Sequence, residues 1–349
     1  MRKPIRKRNR RPISLDQLSV VDVDVKFLKT GIGEIDYEIG GIPQGCILHV
    51  AGENGVGKTT CILQFTINAL RYLPEDQKIG YCDTENRSWG RMIKYFCKEA
   101  GIAENRFLFF QPDYGEEALD QVVEWVEDPE VAIIIIDSLK GIVPKDVILK
   151  NLEEHEQQQG QCKLLDRALR SIIARIRRNN KSLILIDHLK EKQLNSFLKM
   201  KETATGNTVK FMSSSRWFIK ASKWIKKTIK GKERKIGRML NIIVPKSTVG
   251  PMMDISDLRF IFRRGISPYR YFLKRAIELG IITHDGKAYY IKEKIIAKNN
   301  KDFVRWVRSP NGKKAWDKIV SKIDDIDTKN FYDFIHTDPL VFDSEFKND

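Results

Sequence analysis

Two uninterrupted apolar runs constrain the fold of this chain more than any other feature. VAIIIID occupies residues 131–137 and SLILIDH occupies residues 182–188. A strand that is apolar at nearly every position is covered on both faces, as central strands of parallel sheets are. The first run ends in Asp137 and the second in His188. The runs therefore predict a buried parallel sheet with polar side chains where its strands end, which is where ligands bind in such sheets.

Shorter strand-like stretches and amphipathic helical stretches alternate around these runs. The patterns at residues 46–52, 78–83 and 106–110 predict strands. Residues 164–178 instead repeat leucine or isoleucine every three to four positions, which predicts a helix with one apolar face. Strands that alternate with such helices are typical of a doubly wound α/β domain whose twisted sheet is mainly parallel. We place this core at residues 31–262.

Segments of different character flank the predicted core. Residues 1–30 begin with a basic arm, and VVDVDV at 20–25 alternates valine with aspartate, which predicts a half-exposed strand. This strand is either an edge strand or one that pairs with the sheet of a neighbouring subunit. Residues 263–349 contain helical stretches, a hairpin that turns at residues 285–286 and an acidic tail. They predict a small α+β C-terminal domain.

The formal net charge of +16 favours a polyanionic partner, and we expect nucleic acid rather than a membrane. The longest apolar run is too short to span a bilayer, and the basic N-terminus lacks the apolar stretch of a secretory signal. Five scattered cysteines show no metal-type spacing, which favours a reducing compartment. We expect the chain in the cytoplasm, associated with the nucleoid, in a bacterium or in a host that expresses a phage protein.

GENGVGKTT matches G-x-x-x-x-G-K-S/T and lies between a predicted strand and a predicted helix. Backbone N–H groups of such a loop surround phosphate at the positive end of a helix. We expect Lys58 to hold the β- and γ-phosphates and Thr59 to bind Mg²⁺. The nucleotide-binding candidates in this stretch are Gly52, Glu53, Asn54, Gly55, Val56, Gly57, Lys58, Thr59 and Thr60.

Polar residues that end other strands are candidates for the chemistry. Asp137 is the expected second metal-site residue. Glu85 and Asp83 both follow the strand at 78–83, and either carboxylate could orient the attacking water. The residue pattern does not choose between them. His188 is either a sensor of the γ-phosphate or an ordinary histidine at a strand end.

Longer stretches of the chain resemble the RecA family of DNA strand-exchange ATPases, including its phage UvsX-like branch. The similarity extends in unbroken order from about residue 28 to about residue 320. The matching segments are TGIGEIDYEIGGIPQGCILHVAGENGVGKTT, FQPDYGEEALDQV, IIIDSLKGIVPK, ETATGNTVKFMSSSR, GISPYRYFLKRAIELGII and GKAYYI.

The resemblance assigns roles to several of these positions. It implies that Glu85, rather than Asp83, is the catalytic glutamate. It implies that His188 couples the γ-phosphate to the DNA-binding loop that follows. Trp89 and Tyr95 are the candidates for stacking on adenine, and Lys246 is the candidate for contacting nucleotide across the subunit interface.

The resemblance also implies two DNA-binding loops, at about 145–164 and 189–207. The basic arm and the basic segment 223–238 have no clear counterpart in the family, and we expect them to add phosphate contacts. The DNA-binding candidates are Lys145, Lys150, Lys199, Lys201, Thr203, Thr205, Gly206, Asn207 and Lys210.

The implied function is an ATP-dependent recombinase with ATP and Mg²⁺ as cofactors. It would form a helical homo-oligomeric filament on single-stranded DNA and pair it with homologous duplex DNA. Single-strand-binding or loader proteins are further expected partners, and no membrane is expected. Two alternatives share the same core: a hexameric helicase or other motor, and a non-catalytic mediator that loads another recombinase. The C-terminal match argues against the motor, and the intact phosphate-loop and carboxylate residues argue against the mediator.

Overall fold

The computed structural model describes residues 25–87, 90–150, 154–195, 198–203 and 206–336. The basic arm, Trp89, Thr205 and the acidic tail lie outside these described residues. The strands are β1 Phe27–Leu28, β2 Ile42–Pro43, β3 Cys46–Gly52, β4 Lys78–Asp83, β5 Phe107–Phe110, β6 Val131–Asp137, β7 Ser182–Asn195, β8 Leu198–Thr203, β9 Ser215–Ile229, β10 Lys232–Ser247, β11 Ile255–Ile261, β12 Gly265–Ile266, β13 Thr283–His284, β14 Tyr289–Ile291 and β15 Lys294–Ala297.

Helices connect these strands on both sides of the sheet. The α-helices are α1 Gly33–Glu38, α2 Lys58–Ala69, α3 Gly90–Ala100, α4 Gly115–Glu127, α5 Lys145–Lys150, α6 Glu154–Arg178, α7 Gly206–Met212, α8 Tyr269–Glu278, α9 Asn300–Arg308 and α10 Pro310–His336. None of the described helices is long and apolar enough to cross a membrane.

The central sheet has the strand order β12-β11-β10-β9-β3-β7-β6-β4-β5, with β8 paired to β7. The six strands from β9 to β5 run parallel to their neighbours. β10, β11 and β12 extend the sheet as antiparallel strands. The predicted α/β class with a mainly parallel sheet is therefore confirmed, and the sheet extends to Ile266.

Apolar side chains cover both faces of the sheet because successive side chains of a strand point to opposite faces. In β6, Ile133 and Ile135 belong to one core cluster, which includes residues of α2 and α3. Ile134 and Ile136 belong to the other, which includes residues of α4 and α6. This alternation explains why the run at 131–137 contains only apolar residues before its final aspartate.

The C-terminal residues build a separate core against α1. Phe272, Phe303 and Trp316 are buried in a cluster of their own. Lys29 Nζ lies 2.5 Å from an oxygen of Asp324 on α10, and Tyr37 of α1 donates to the same oxygen. These contacts attach this C-terminal cluster to the residues that lead into the core.

The two segments that the resemblance implies as DNA loops have more secondary structure than expected. Residues 145–150 form α5, and residues from Glu154 onward belong to α6. This stretch is rich in Glu, Gln and Leu, which favour helix. In the second segment, β7 continues past His188 and pairs with β8 as an antiparallel hairpin, and α7 follows.

A substitution at Gly80 tests how tightly the sheet packs against α4. A Cβ built at Gly80 would lie 2.5 Å from the Trp125 ring. We expect Gly80→Ala to lower the free energy of unfolding by about 1–3 kcal/mol, because the ring has to shift in a filled core. Urea denaturation followed by tryptophan fluorescence measures this.

The matched control is Gly90→Ala, since a Cβ at Gly90 meets no heavy atom of the described residues within 4 Å apart from its chain neighbours and its own helix backbone. The control should unfold at nearly the wild-type urea concentration. Equal midpoints for the two variants would contradict the predicted crowding at Trp125.

Candidate active site

The glycine-rich loop joins the carboxyl end of β3 to the first turn of α2. Gly57 precedes α2 with a φ of 109°, a left-handed conformation that side chains with a Cβ rarely adopt. Glu53, Asn54 and Gly55 are exposed at the top of the loop, whereas Val56 is buried beneath it. The loop therefore presents the N–H groups of a helix N-terminus to solvent, which is the arrangement that binds phosphate.

The Lys58 ammonium is surrounded by acceptors from the loop and from β7. Its Nζ donates to the carbonyl oxygens of Gly52 and Glu53, each at 2.9 Å. The third contact is His188 Nδ1 at 3.3 Å. Burial lowers the pKa of Lys58 to about 8. A phosphate group at this position would restore a strong counter-charge and would compete for one of the three N–H donors.

Thr59 and Asp137 meet at the adjacent strand end. Thr59 Oγ1 donates to Asp137 Oδ2 at 2.7 Å, and Tyr81 OH donates to the same oxygen at 2.7 Å. Burial raises the pKa of the Asp137 carboxyl. A hydroxyl oxygen and a carboxylate oxygen form the hard donor set that Mg²⁺ prefers, so these residues fit the cation that the resemblance implies.

Both oxygens of Glu85 are in contact with other side chains. Oε1 accepts from Ser138 Oγ at 2.5 Å and lies 2.8 Å from His188 Nε2. Oε2 lies 2.7 Å from a guanidinium nitrogen of Arg87. The hydrogen bond with His188 is the main cause that lowers the pKa of Glu85 to about 2, and Ser138 and Arg87 contribute.

His188 connects Lys58 to Glu85 through its two ring nitrogens. An ammonium group can only donate, so Nδ1 of His188 accepts from Lys58. Nε2 therefore carries the proton and donates to Glu85. This tautomer makes a continuous hydrogen-bonded path from the lysine that would hold the γ-phosphate to the carboxylate that would orient water.

Asp83, the competing carboxylate, points elsewhere. Its Oδ2 accepts from Gln111 Nε2 at 3.0 Å, and burial raises the pKa of the carboxyl. Only Glu85 of this pair lies within hydrogen-bond distance of His188 in the contacts described above. The geometry therefore separates two carboxylates that the residue pattern left equivalent.

A buried polar network supports the backbone of His188. The N–H of His188 lies 2.7 Å from Asp187 Oδ1, and Asp187 Oδ2 lies 3.3 Å from His49 Nε2. Arg216 Nε donates to His49 Nδ1 at 3.2 Å, so Nε2 of His49 carries the proton. Burial lowers the pKa of His49. The network links β3, β7 and β9 directly behind the strand end.

Sequence reasoning missed Arg87, Ser138, His49, Asp187 and Arg216. Ser138 directly follows Asp137, and Asp187 directly precedes His188, so proximity to a predicted site residue was an available signal. His49 is a polar residue inside an apolar strand, which also indicates a buried partner. Nothing in the pattern of the sequence singles out Arg87, because the turn that brings it back to Glu85 is not a recognisable motif.

Two other predicted residues make contacts with residues outside the phosphate loop. Tyr95 packs on Phe96 of α3, with ring centroids 5.4 Å apart. Lys246 Nζ donates to the carbonyl oxygens of Lys210 and Phe211 at 3.0 Å, at the end of α7. It therefore joins β10 to the end of α7, just beyond the second predicted DNA segment.

The DNA-binding candidates fall into two groups. Lys145 and Asn207 are exposed, and Lys145 Nζ lies 4.8 Å from the centre of the Tyr114 ring. Lys210 lies on α7, with Nζ 3.4 Å from the Asn207 side-chain oxygen. For the remaining candidates within the described ranges, the structure describes the backbone alone: Lys150, Lys199, Lys201, Thr203 and Gly206.

Known proteins with similar sequences point to one family. A sequence profile of the RecA N-terminal domain matches residues 12–267. The RecA protein of Aquifex pyrophilus is 30% identical over 282 residues, which cover 79% of this chain and 76% of that protein. RecA of Nautilia profundicola is 30% identical with coverage of 78% and 76%, and RecA of Legionella pneumophila strain Corby is 30% identical with coverage of 79% and 77%. The chain belongs to the RecA family.

Proposed function

We propose that this RecA-family recombinase is a DNA-dependent ATPase that forms filaments on single-stranded DNA and catalyses homologous pairing and strand exchange. The hydrogen-bonded path Lys58–His188–Glu85 is the observation that carries the proposal. It connects the candidate phosphate site to the candidate water-orienting carboxylate through the residue that begins the DNA-facing part of β7.

Hydrolysis in this proposal is a displacement at the γ-phosphorus. The oxygen of a water molecule forms a bond to phosphorus as the bond to the β,γ-bridging oxygen breaks, which yields ADP and phosphate. Glu85 orients the water and accepts its proton. Lys58 stabilises the charge on the phosphates, and Thr59 and Asp137 hold the Mg²⁺ that neutralises it when bound.

The same geometry explains why turnover would depend on DNA. A carboxylate with a pKa of about 2 is a weak proton acceptor, and His188 is the main cause of that low pKa. The backbone after His188 pairs directly with β8, from Leu189 opposite Thr203 to Asn195 opposite Leu198. DNA that moves this hairpin would move His188 and change the hydrogen bonding of Glu85.

A basic hairpin offers a second surface for phosphates. Residues 220–238 of β9 and β10 contain seven lysines and two arginines but only one acidic residue, Glu233. Most of these side chains are exposed. Trp224 is not an open stacking platform, because Lys235 and Arg238 lie 4.3 and 4.1 Å from its ring centre. We propose that the hairpin supplements Asn207 and Lys210 in holding the DNA backbone.

Filament assembly would use the edge of the central sheet. β5 ends the sheet in the described residues, and Phe109 on it is 44% exposed. The valine-aspartate segment at 20–25 has the alternation of a strand that could add to such an edge in a neighbouring subunit.

The domain plan that we propose has three parts: an arm and strand before residue 31, a nucleotide-binding core, and a small C-terminal domain. Single-strand-binding or loader proteins are further proposed partners.

Lys58→Ala tests the role of the phosphate site. We expect it to abolish ATP-dependent filament formation and strand exchange, because no other described side chain takes the place of this ammonium in the loop. Electron microscopy and a strand-exchange assay with homologous and non-homologous duplexes measure both effects. Lys78→Ala is the control. Lys78 pairs with Glu130 at the amino-terminal end of β4, whereas the candidate site lies at the carboxyl ends of the strands. Normal exchange by Lys58→Ala would overturn the assignment.

Glu85→Gln separates nucleotide binding from turnover. We expect the variant to bind ATP and DNA but to hydrolyse ATP at least about a hundredfold more slowly, because the amide cannot accept the water proton. Filaments made with ATP should therefore persist longer than those of the wild type. Rapid turnover by the variant would remove Glu85 from its proposed role.

The same variant should change the pH dependence of stability. Because the folded pKa of Glu85 is about 2 and the ordinary value is 4.5, its charge stabilises the fold above pH 4.5, and this contribution falls as the pH drops toward 2. The difference in melting temperature between wild type and Glu85→Gln should therefore shrink from pH 6 to pH 3.

Salt titrations test the basic hairpin. Binding to single-stranded DNA should weaken by about 0.7 decades per decade of salt for each phosphate neutralised. Lys227→Ala and Lys230→Ala should each reduce that slope, because both residues are exposed. Lys226→Ala should reduce it less, since Lys226 Nζ already pairs with Glu233 at 2.8 Å. Identical slopes for all three variants and the wild type would show that the hairpin does not bind DNA.

A further inference from the structure

Arg87 is the exposed partner of the candidate catalytic carboxylate. Its guanidinium lies 2.7 Å from Glu85 Oε2, and its side chain is 58% exposed, whereas that of Glu85 is only 15% exposed. The other two partners of Glu85 are held by the protein: Ser138 is buried, and His188 is fixed between Lys58 and Glu85. Arg87 alone among the three can turn away without disturbing the core.

The charge around Arg87 favours a second anion. Arg87 is close enough to Lys58 for the two positive charges to interact unfavourably. Glu85 supplies a single negative charge to Arg87, and that charge is already shared with Ser138 and His188. A terminal phosphate next to Lys58 would carry more charge and would offer several oxygens to the planar guanidinium, which binds phosphate in a bidentate manner.

We propose that Arg87 exchanges Glu85 for the terminal phosphate of ATP. In the nucleotide-free protein Arg87 occupies Oε2 of Glu85. In the ATP-bound protein it binds the γ-phosphate and leaves that oxygen to the attacking water. The inference rests on the proposed function, because it takes ATP to bind with its phosphates at the loop 52–57.

Two consequences follow from this exchange. ADP lacks the γ-phosphate, so it leaves Arg87 paired with Glu85, and Arg87 becomes a residue that distinguishes ATP from ADP. Glu85 competes with ATP for Arg87, so removing the charge of Glu85 should strengthen ATP binding only while Arg87 is present. Neither consequence is expected of an arginine that merely orders the turn after β4.

The test compares the affinity of the full chain for fluorescent ATPγS and fluorescent ADP in the presence of Mg²⁺. We expect Arg87→Ala to lose about tenfold to a hundredfold in ATPγS affinity and to keep its ADP affinity within about twofold, since one charged hydrogen-bond partner is removed. Arg87→Lys should recover part of the loss. Arg71→Ala is the matched control, because Arg71 is exposed beyond the far end of α2, about 18 Å from its first turn.

A double-mutant cycle completes the test. Glu85→Gln should bind ATPγS more tightly than the wild type, and this gain should disappear in Glu85→Gln combined with Arg87→Ala. Unchanged ATPγS affinity in Arg87→Ala, or an equal loss for ATPγS and ADP, would overturn the exchange. Failure of the wild type to bind either nucleotide would instead overturn the proposed function, and the inference with it.

Discussion

The site depends on the in-register pairing of parallel strands, which brings residues distant in the sequence to one edge. Gly52 at the end of β3 lies opposite His188 of β7, and Asp83 of β4 lies opposite Asp137 of β6. A shift of one residue in any of these pairings would turn the terminal side chains to the other face of the sheet. Because apolar side chains cover both faces of β6 and β7, such a shift would also bury different residues on each side, so the cores keep the site in register.

Much of this arrangement could be predicted from the sequence. The apolar runs are long enough to identify central strands, and the glycine-rich motif locates the phosphate loop between a strand and a helix. Since Asp137 and His188 end these apolar runs, their placement at one end of the parallel strands follows from the topology. The antiparallel extension by β10 to β12 was not predicted. Its alternating, basic sequence is typical of a strand but does not identify the strand with which it pairs.

What could not be predicted are the contacts that depend on side-chain direction. Glu85 and Asp83 are two residues apart, yet one faces His188 and the other faces Gln111. The difference arises in the turn after β4, whose backbone no local pattern specifies. Likewise, the buried pair His49 and Asp187 depends on two strands that are adjacent in space but more than a hundred residues apart in sequence. The segment 145–164, which was predicted to be a loop, is largely helical. Its many helix-forming residues account for this difference.

The attachment of α10 to the residues that precede the core has a mechanical consequence. Lys29 and Tyr37 both contact Asp324, so the residues that follow the N-terminal arm are tied to α10 before they enter the core. Phe27 adds an edge-to-face contact with Phe331 of the same helix, at 5.9 Å. A force applied to the chain at Phe27 would therefore reach α10 at least as directly as it reaches the central sheet.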